Sequence, residues 1–583
     1  MALLVSGSGS GRAAALVALL LTAGAPAADT VPDPGLSRAV PSDAAFVLHA
    51  RMDDAMRRRM EPLWAAMGTS SFLEDLRSRL LERSDDEKHR KWLEKEAPVW
   101  IGICERVEWR KLLSREVVLA ARADERRRQW IGVFRVDPLE RDGIVGSIER
   151  VLYALGSISP EIELIHSRRE NESVTALYKR TIDPLEDVTG VPPFILGVLD
   201  TALSEGRDIS VAGKDDVVLL STSANLLQRS LQLLDGAGSD LGFAYTARRE
   251  SRLAAGKLAA PGGAGFEIHA DPGALFPEVD ALGALGPFVA TGKLEGASLA
   301  YGFHAALAGE ARGEAAALRN ALAEVPPLGN VLDRIPEEAT GFYAASGPRV
   351  GVLLGVVESA WKKMAPDAGE LVEDERTRRE LHEVSPRGFL AQLPGSWLGY
   401  AEGPPVPPGP ESKWFDLGVA LVIQGAAAIK DRDARIETTS SGAVIVGLKG
   451  KEGGTVGYYG YREGRVVFSK SSSKETVVAA LDAKPGDSPP AIVKRLEIPT
   501  ETAVEAFDTD QPPRLVQLHL AGAALEIALK KTQADPALNA LIEASRKLIS
   551  ALEKARPPVS RARGYTVRDA NAFRGQATVT FRD

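Results

Sequence analysis

Cysteine is almost absent. A single residue in 583, Cys104, excludes an internal disulfide and any multi-cysteine metal site. Cys104 follows the apolar run Val99–Ile103, so it reads as a small core residue rather than a catalytic thiol, which would want a basic surround. Positive charge is not in excess: 71 Lys and Arg stand against 79 Asp and Glu, a net charge of -8. That balance excludes a general nucleic-acid binder, which needs a net basic field. Long hydrophobic runs are missing after the opening residues. The best later stretch, Leu417 to Ile429, is broken by Gly418, Gln424 and Gly425, so no integral membrane segment is expected there. There is no H-E-x-x-H, C-x-x-C, Walker loop or G-x-S-x-G. The sequence therefore predicts no cofactor and no enzyme activity.

What is present is an ordinary globular composition, 44% hydrophobic and 26% charged, with length for about four domain equivalents. The chain opens with a lone Arg12, an apolar run from Ala13 to Ala23, and Ala25-Pro26-Ala27. Charged flank, short apolar run and small-x-small exit are the parts of a secretory signal. Residues 1–27 are thus a predicted signal peptide, with an uncleaved anchor or a misassigned start as the alternatives. Without a cysteine at the cut, release without a lipid anchor is expected, to a periplasmic or extracellular location.

Five landmarks recur in order. Val40 to Phe46 returns as Ile335 to Phe342, and Ala97 to Gly102 as Leu393 to Gly399. Ile131 to Val136 returns as Leu417 to Val422, and the stretch from Asp215 as the one from Glu463. Phe266 to Ala270 returns as Val516 to Leu520. Pro336 follows Pro41 by 295 residues and Trp397 follows Trp100 by 297, whereas Val466 follows Val217 by 249 and His519 follows His269 by 250. Chance matches would scatter; these fall on two plateaus, with one step implying an insertion in the first copy. The expected organisation is a linker at 28–39, a first repeat at 40–325 with its insertion near 182–208, and a second repeat at 335–583.

Strand and helix patterns are mixed without steady βαβ alternation. The expected class is α+β: two tandem halves with largely antiparallel sheets packed with helices. A strand at Val217–Leu220 leads through serines into a helix at Ala224–Leu234, and Lys474–Leu481 is its predicted counterpart. Val99–Gly102 and its neighbours read as a strand. Asp535-Pro536 reads as a helix start, and Ser560–Arg568 with Phe573–Phe581 as a closing hairpin.

These features resemble a broad family of uncharacterised secreted bacterial proteins with a duplicated domain of unknown function. The resemblance rests on the signal peptide, the proline–acid opening strands at Val40 and Ile335, and the strand-to-helix landmarks that run from Val217-Val218 to Ser221 and from Val466-Val467 to Ser469. It implies the fold but brings no catalytic residues.

Four residues stand out as candidates. Ser471 and Lys474 fit S-x-x-K, the nucleophile motif of penicillin-binding enzymes, but no K-T-G strand accompanies it. A serine-rich helix cap explains the same residues. His269 and His519, with His49, each sit fourth in an apolar strand pattern, on the face opposite its hydrophobics. They read as strand residues inherited with the repeat rather than as metal ligands. Asp508-Thr509-Asp510 reads as a solvated turn, and Arg57–Arg59 and Arg126–Arg128 as solvated basic runs. The expected function is an exported, non-enzymatic binding or scaffolding protein of the cell envelope, whose partner is an unknown envelope component. The alternatives are a carrier of an apolar ligand, such as a lipid or acyl chain, and an exported serine hydrolase.

Overall fold

The computed structural model describes residues 35–348 except for short intervals, 397–402, 436–509 with further short intervals, and 559–582, plus isolated residues at 352, 355 and between 540 and 555. A 3-10 turn, Gly35–Ala39, leads in. The strands are β1 (Phe46–Arg51), β2 (Glu116–Asp124), β3 (Arg127–Arg135), β4 (Ile162–Arg169), β5 (Glu172–Lys179), β6 (Asp208–Lys214), β7 (Val217–Ser221), β8 (Gly265–Ala270), β9 (Leu285–Glu295) and β10 (Ser298–Leu307). Then follow β11 (Ala339–Ala345), β12 (Trp397–Glu402), β13 (Ile436–Thr438), β14 (Val444–Lys449), β15 (Thr455–Arg462), β16 (Arg465–Ser469), β17 (Ala503–Thr509), β18 (Val559–Asp569) and β19 (Ala572–Phe581).

Fifteen of these form one antiparallel sheet in the order β12-β11-β17-β18-β19-β10-β9-β8-β1-β2-β3-β7-β6-β5-β4, and β13 to β16 form a second. The α+β class is therefore correct. Helices cover both faces of the large sheet. On one face Val47, Val118, Ala120, Ile131 and Leu219 pack beneath the helix Ala224–Leu234 and the 3-10 turn. On the other, Val117, Phe134, Val218 and Leu177 pack against the helix Arg141–Gly156. Alternation along each strand sends neighbouring residues to opposite cores. No helix among the described residues is long and apolar enough to cross a membrane.

Several local readings match element for element. The helix Ala224–Leu234 starts at Ser223, whose side chain accepts from the Leu226 N–H. The β18–β19 hairpin turns between Asp569 and Ala572. The helix Pro193–Leu203 lies between β5 and β6, within the stretch read as an insertion.

Three readings are corrected. Residues 97–105 form a helix, not a strand. Pro98 sits in its first turn, where the missing N–H costs nothing, so a short apolar run that could be either element becomes helical. Trp100 there packs on Trp92, whereas Trp397 begins a strand, so the two tryptophans do not match. β11 is flanked by β12 and by β17, Ala503–Thr509; Val516–Leu520, the predicted counterpart of Phe266–Ala270, lies outside the described residues. Asp508 is no solvated turn residue: it is buried at the end of β17 and ion-paired with Arg561. Leu417–Val422 and most of the predicted helix after Asp535 also lie outside the described residues.

β19 and β10, fifth and sixth from the β12 edge, pair in register from Ser298↔Thr580 to Ala306↔Ala572. Phe303 lies directly opposite Gly575, and a Cβ at Gly575 would overlap the Phe303 ring. Gly575→Val should destabilise the protein by about 1–3 kcal/mol through this overpacking. Denaturant unfolding of the variant checks it; an unchanged midpoint would mean the ring does not rest on the glycine.

Candidate functional site

The sheet carries charge where a core would be expected. In β1, alternation places Val47, His49 and Arg51 on one face. Register sets Arg51 opposite Glu116 of β2, and Glu116 opposite Arg135 of β3. The same register sets His49 opposite Glu267 of β8, with His269 two residues further along that face.

Glu116 is the hub. Its Oε1 accepts from the Leu36 backbone N–H at 3.0 Å, from His49 Nε2 at 2.7 Å and from Arg51 Nε at 3.3 Å. Its Oε2 accepts from Arg135 Nε at 2.9 Å, and Arg135 reaches on to Asp216 at 2.7 Å. Burial alone would raise the Glu116 pKa. The His49 hydrogen bond and charge, the Leu36 N–H and the Arg51 charge together outweigh it and hold the carboxyl far below the usual range. An ionised carboxylate only accepts, so His49 Nε2 carries the proton it donates.

Glu267 is a second, deeper hub. The helix Ser239–Gly256 places Arg249 over it as a bidentate fork, Nε at 2.5 Å and Nη2 at 2.6 Å. His269 Nε2 donates to the same carboxylate. The side chains of Glu267 and His269 are each 2% exposed. Burial pushes the Glu267 pKa up, but the His269 and Arg249 hydrogen bonds and charges win and bring it down to about 2. The same helix pins its neighbours: Arg248 donates to the Ala44 carbonyl and Arg252 pairs with Asp271.

The chain entering at residue 35 roofs the cluster. Gly35 has φ 55, and a Cβ there would overlap both Glu116 and the Arg51 guanidinium. Only glycine combines that backbone with so close an approach.

Three carboxylates (Glu116, Asp216, Glu267) thus meet three guanidiniums (Arg51, Arg135, Arg249), with two imidazoles bridging inward. Both imidazole Nε2 atoms are committed to carboxylates. Among the described residues no group of three His, Cys, Asp or Glu side chains is placed to hold a metal ion.

His269 therefore belongs to the cluster. His519 and Ser471 lie outside the described residues, and Lys474 is the first residue of the helix Lys474–Asp482. The cluster does not include Lys474. Cys104 is half-buried in its helix, and burial pushes its thiol pKa up, which keeps it protonated. The basic runs are not simply solvated. Arg128 donates to the Leu275 carbonyl at 2.9 Å and lies 4.4 Å over the Phe276 ring, and Arg59 lies over Phe581. Sequence reading missed Glu116, Glu267 and Arg249. Glu267 was within reach of it, because an acid two residues before a histidine in a strand shares that histidine's face.

No family model matches the chain, and neither a curated protein nor a solved structure is similar to it.

Proposed function

We propose that the chain is an exported, non-enzymatic binding or scaffolding protein of the bacterial envelope, built from two diverged copies of one α+β unit. The strand order around the β10–β19 pair carries the duplication. Outward from β10 run β9, β8, β1 and β2; outward from β19 run β18, β17, β11 and β12. Each series is a hairpin, a returning strand, the opening strand and its partner. Gly302 and Gln576 occupy the same place after their hairpin turns and lie opposite each other, as a local two-fold axis requires. The four-strand run β4 to β7 has its counterpart in β13 to β16, with the helix Pro193–Leu203 as the inserted piece. The resemblance to secreted proteins with a duplicated domain supports the same reading.

On this alignment Val47, His49 and Arg51 correspond to Phe342, Ala344 and Ser346. His269, opposite Val47, corresponds to Asp508, opposite Phe342. Around β11 the second copy packs Leu332, Ile335, Phe342, Ala344 and Ile492 and keeps one ion pair, Asp508 with Arg561. The first copy uses its charges to clamp strands, helix and leading turn together, which is a holding task. The saturated carboxylates support scaffolding over acid–base chemistry. At the seam the packing of Phe303 on Gly575 supports scaffolding over a carrier with a cavity between the copies.

The test is expression in a bacterial host with a secretory pathway, followed by periplasmic purification and native mass spectrometry. The expected result is a chain beginning near Ala28, free of lipid mass and retaining a protein partner. Retention in the cytoplasm with residues 1–27 intact would remove the export reading. A co-purified lipid would put the carrier first.

A further inference from the structure

β4 ends the fifteen-stranded sheet, and among the described residues no strand pairs with its outer side. Edge strands are normally kept short, bulged, or blocked by proline or charged side chains. β4 is neither short nor bulged and has no proline, and its charges lie toward its two ends, leaving Leu164 to Ser167 uncharged apart from His166. It runs for eight residues, IELIHSRR, in unbroken register with β5 from Ile162↔Lys179 to Arg169↔Glu172. The opposite edge, β12, is shorter at six residues, and its pairing with β11 carries a register shift. Ile165 on β4 is 53% exposed, and His166 and Ser167 are exposed beside it. The Arg180 N–H donates to the Glu161 carbonyl, which turns the odd positions toward β5. Alternation then leaves the main-chain groups of Leu164 and His166 facing outward.

The charge order selects the occupant. Glu161 and Glu163 come first along this stretch, and Arg168 and Arg169 come last. Antiparallel pairing of two identical strands sets the acidic start of each against the basic end of the other. Centred on His166, it places Ile165 opposite Ser167, and places Glu163, which already accepts from Arg180 at 2.7 Å and from the Tyr178 hydroxyl, opposite Arg169. Each opposite-charge cross-strand pair contributes about 0.2–1 kcal/mol.

We propose that β4 pairs antiparallel with β4 of a second copy of this chain about a two-fold axis at His166, joining two large sheets edge to edge. This assignment goes beyond the scaffolding reading and does not rest on it, since β4 carries it whatever else the protein binds.

Sedimentation of the full chain tests it. The expected result is a dimer at micromolar concentration that dissociates on dilution. His166→Pro removes an outward N–H while leaving the bonds to β5, and Ile165→Lys places a charge on the seam. Both variants should sediment as monomers, Ile165→Lys with unchanged melting and His166→Pro with a melting loss limited to its side-chain bond to Thr175. In addition, His166→Cys should oxidise to a disulfide-linked dimer, because such strand pairs hold Cα atoms about 5.5 Å apart. A wild-type monomer at every concentration overturns the proposal, as do natively melting variants that remain dimeric. Should either variant melt early, the cysteine cross-link decides, and its failure to form overturns the proposal as well.

Discussion

Glu116→Ala should lower the unfolding free energy by about 3–5 kcal/mol, the cost of removing one partner from a buried ionic arrangement. The size follows from what is stranded. The side chain of Glu116 is 9% exposed, and its loss leaves the Arg51 and Arg135 guanidiniums facing each other across an empty position. It also strips the Leu36 N–H and His49 of their acceptor. Glu116→Gln should cost less, because the amide oxygen still accepts while the charge is gone. Urea unfolding followed by circular dichroism separates the two variants. A Glu116→Ala loss under 1 kcal/mol would mean that water reaches the cluster and replaces the carboxylate. Proteolysis gives a second readout: in both variants cleavage within residues 35–40 should precede global unfolding, because Glu116 holds that turn directly.

The contrast with the packing around β11 says what the cluster does. A buried ionic group seldom stabilises a fold better than apolar residues of similar volume. Around β11 the fold relies mainly on the apolar solution, with Ile335, Phe342 and Ala344 packed together and one ion pair, Asp508 with Arg561, beside them. What the charges add is direction. A carboxylate that accepts from Leu36, His49, Arg51 and Arg135 admits one placement of the leading turn on the sheet, whereas an apolar patch would tolerate several.

How much of this was legible depended on distance along the chain. The hairpin at residues 559–581 and the strand-to-helix unit at residues 217–234 are local, so periodicity and a serine cap sufficed. Residues 97–105 were misread because a short apolar run has no decisive period, and Pro98 settled it as a helix. The two proline–acid starts each precede a strand, β1 and β11. The fifth landmark, Phe266–Ala270 with Val516–Leu520, has its second member outside the described residues. His49 was visible in the sequence, but its partner Glu116 lies 67 residues away. Only the β1–β2 register joins them, and no local pattern encodes register between strands separated by five helices.

The deeper hub sets the acid limit of the fold. The Glu267 carboxyl is held at about 2 against an ordinary value of 4.5. A depressed carboxylate contributes its stability above the ordinary value and loses it as pH falls through the folded one. The fall corresponds to on the order of 3 kcal/mol, present in full above about pH 5 and gone near pH 2. Glu267→Gln should therefore be markedly less stable than the wild type at neutral pH. The gap should narrow steadily between about pH 5 and pH 2, as wild-type Glu267 takes up the proton that the amide makes unnecessary. Glu116, depressed further, still holds at the lower end of that window, so the 3-10 turn should stay docked after the grip of Arg249 on Glu267 has weakened. Arg249→Met gives the converse arm. With its guanidinium gone, Glu267 keeps only His269 and the burial penalty, its pKa rises, and the acid limb of the stability curve moves to higher pH. Thermal melts of the three proteins from pH 7 to pH 2 decide the matter. A gap between wild type and Glu267→Gln that stays constant across that range would mean that Glu267 contributes packing rather than charge, and that the cluster is organised around Glu116 alone.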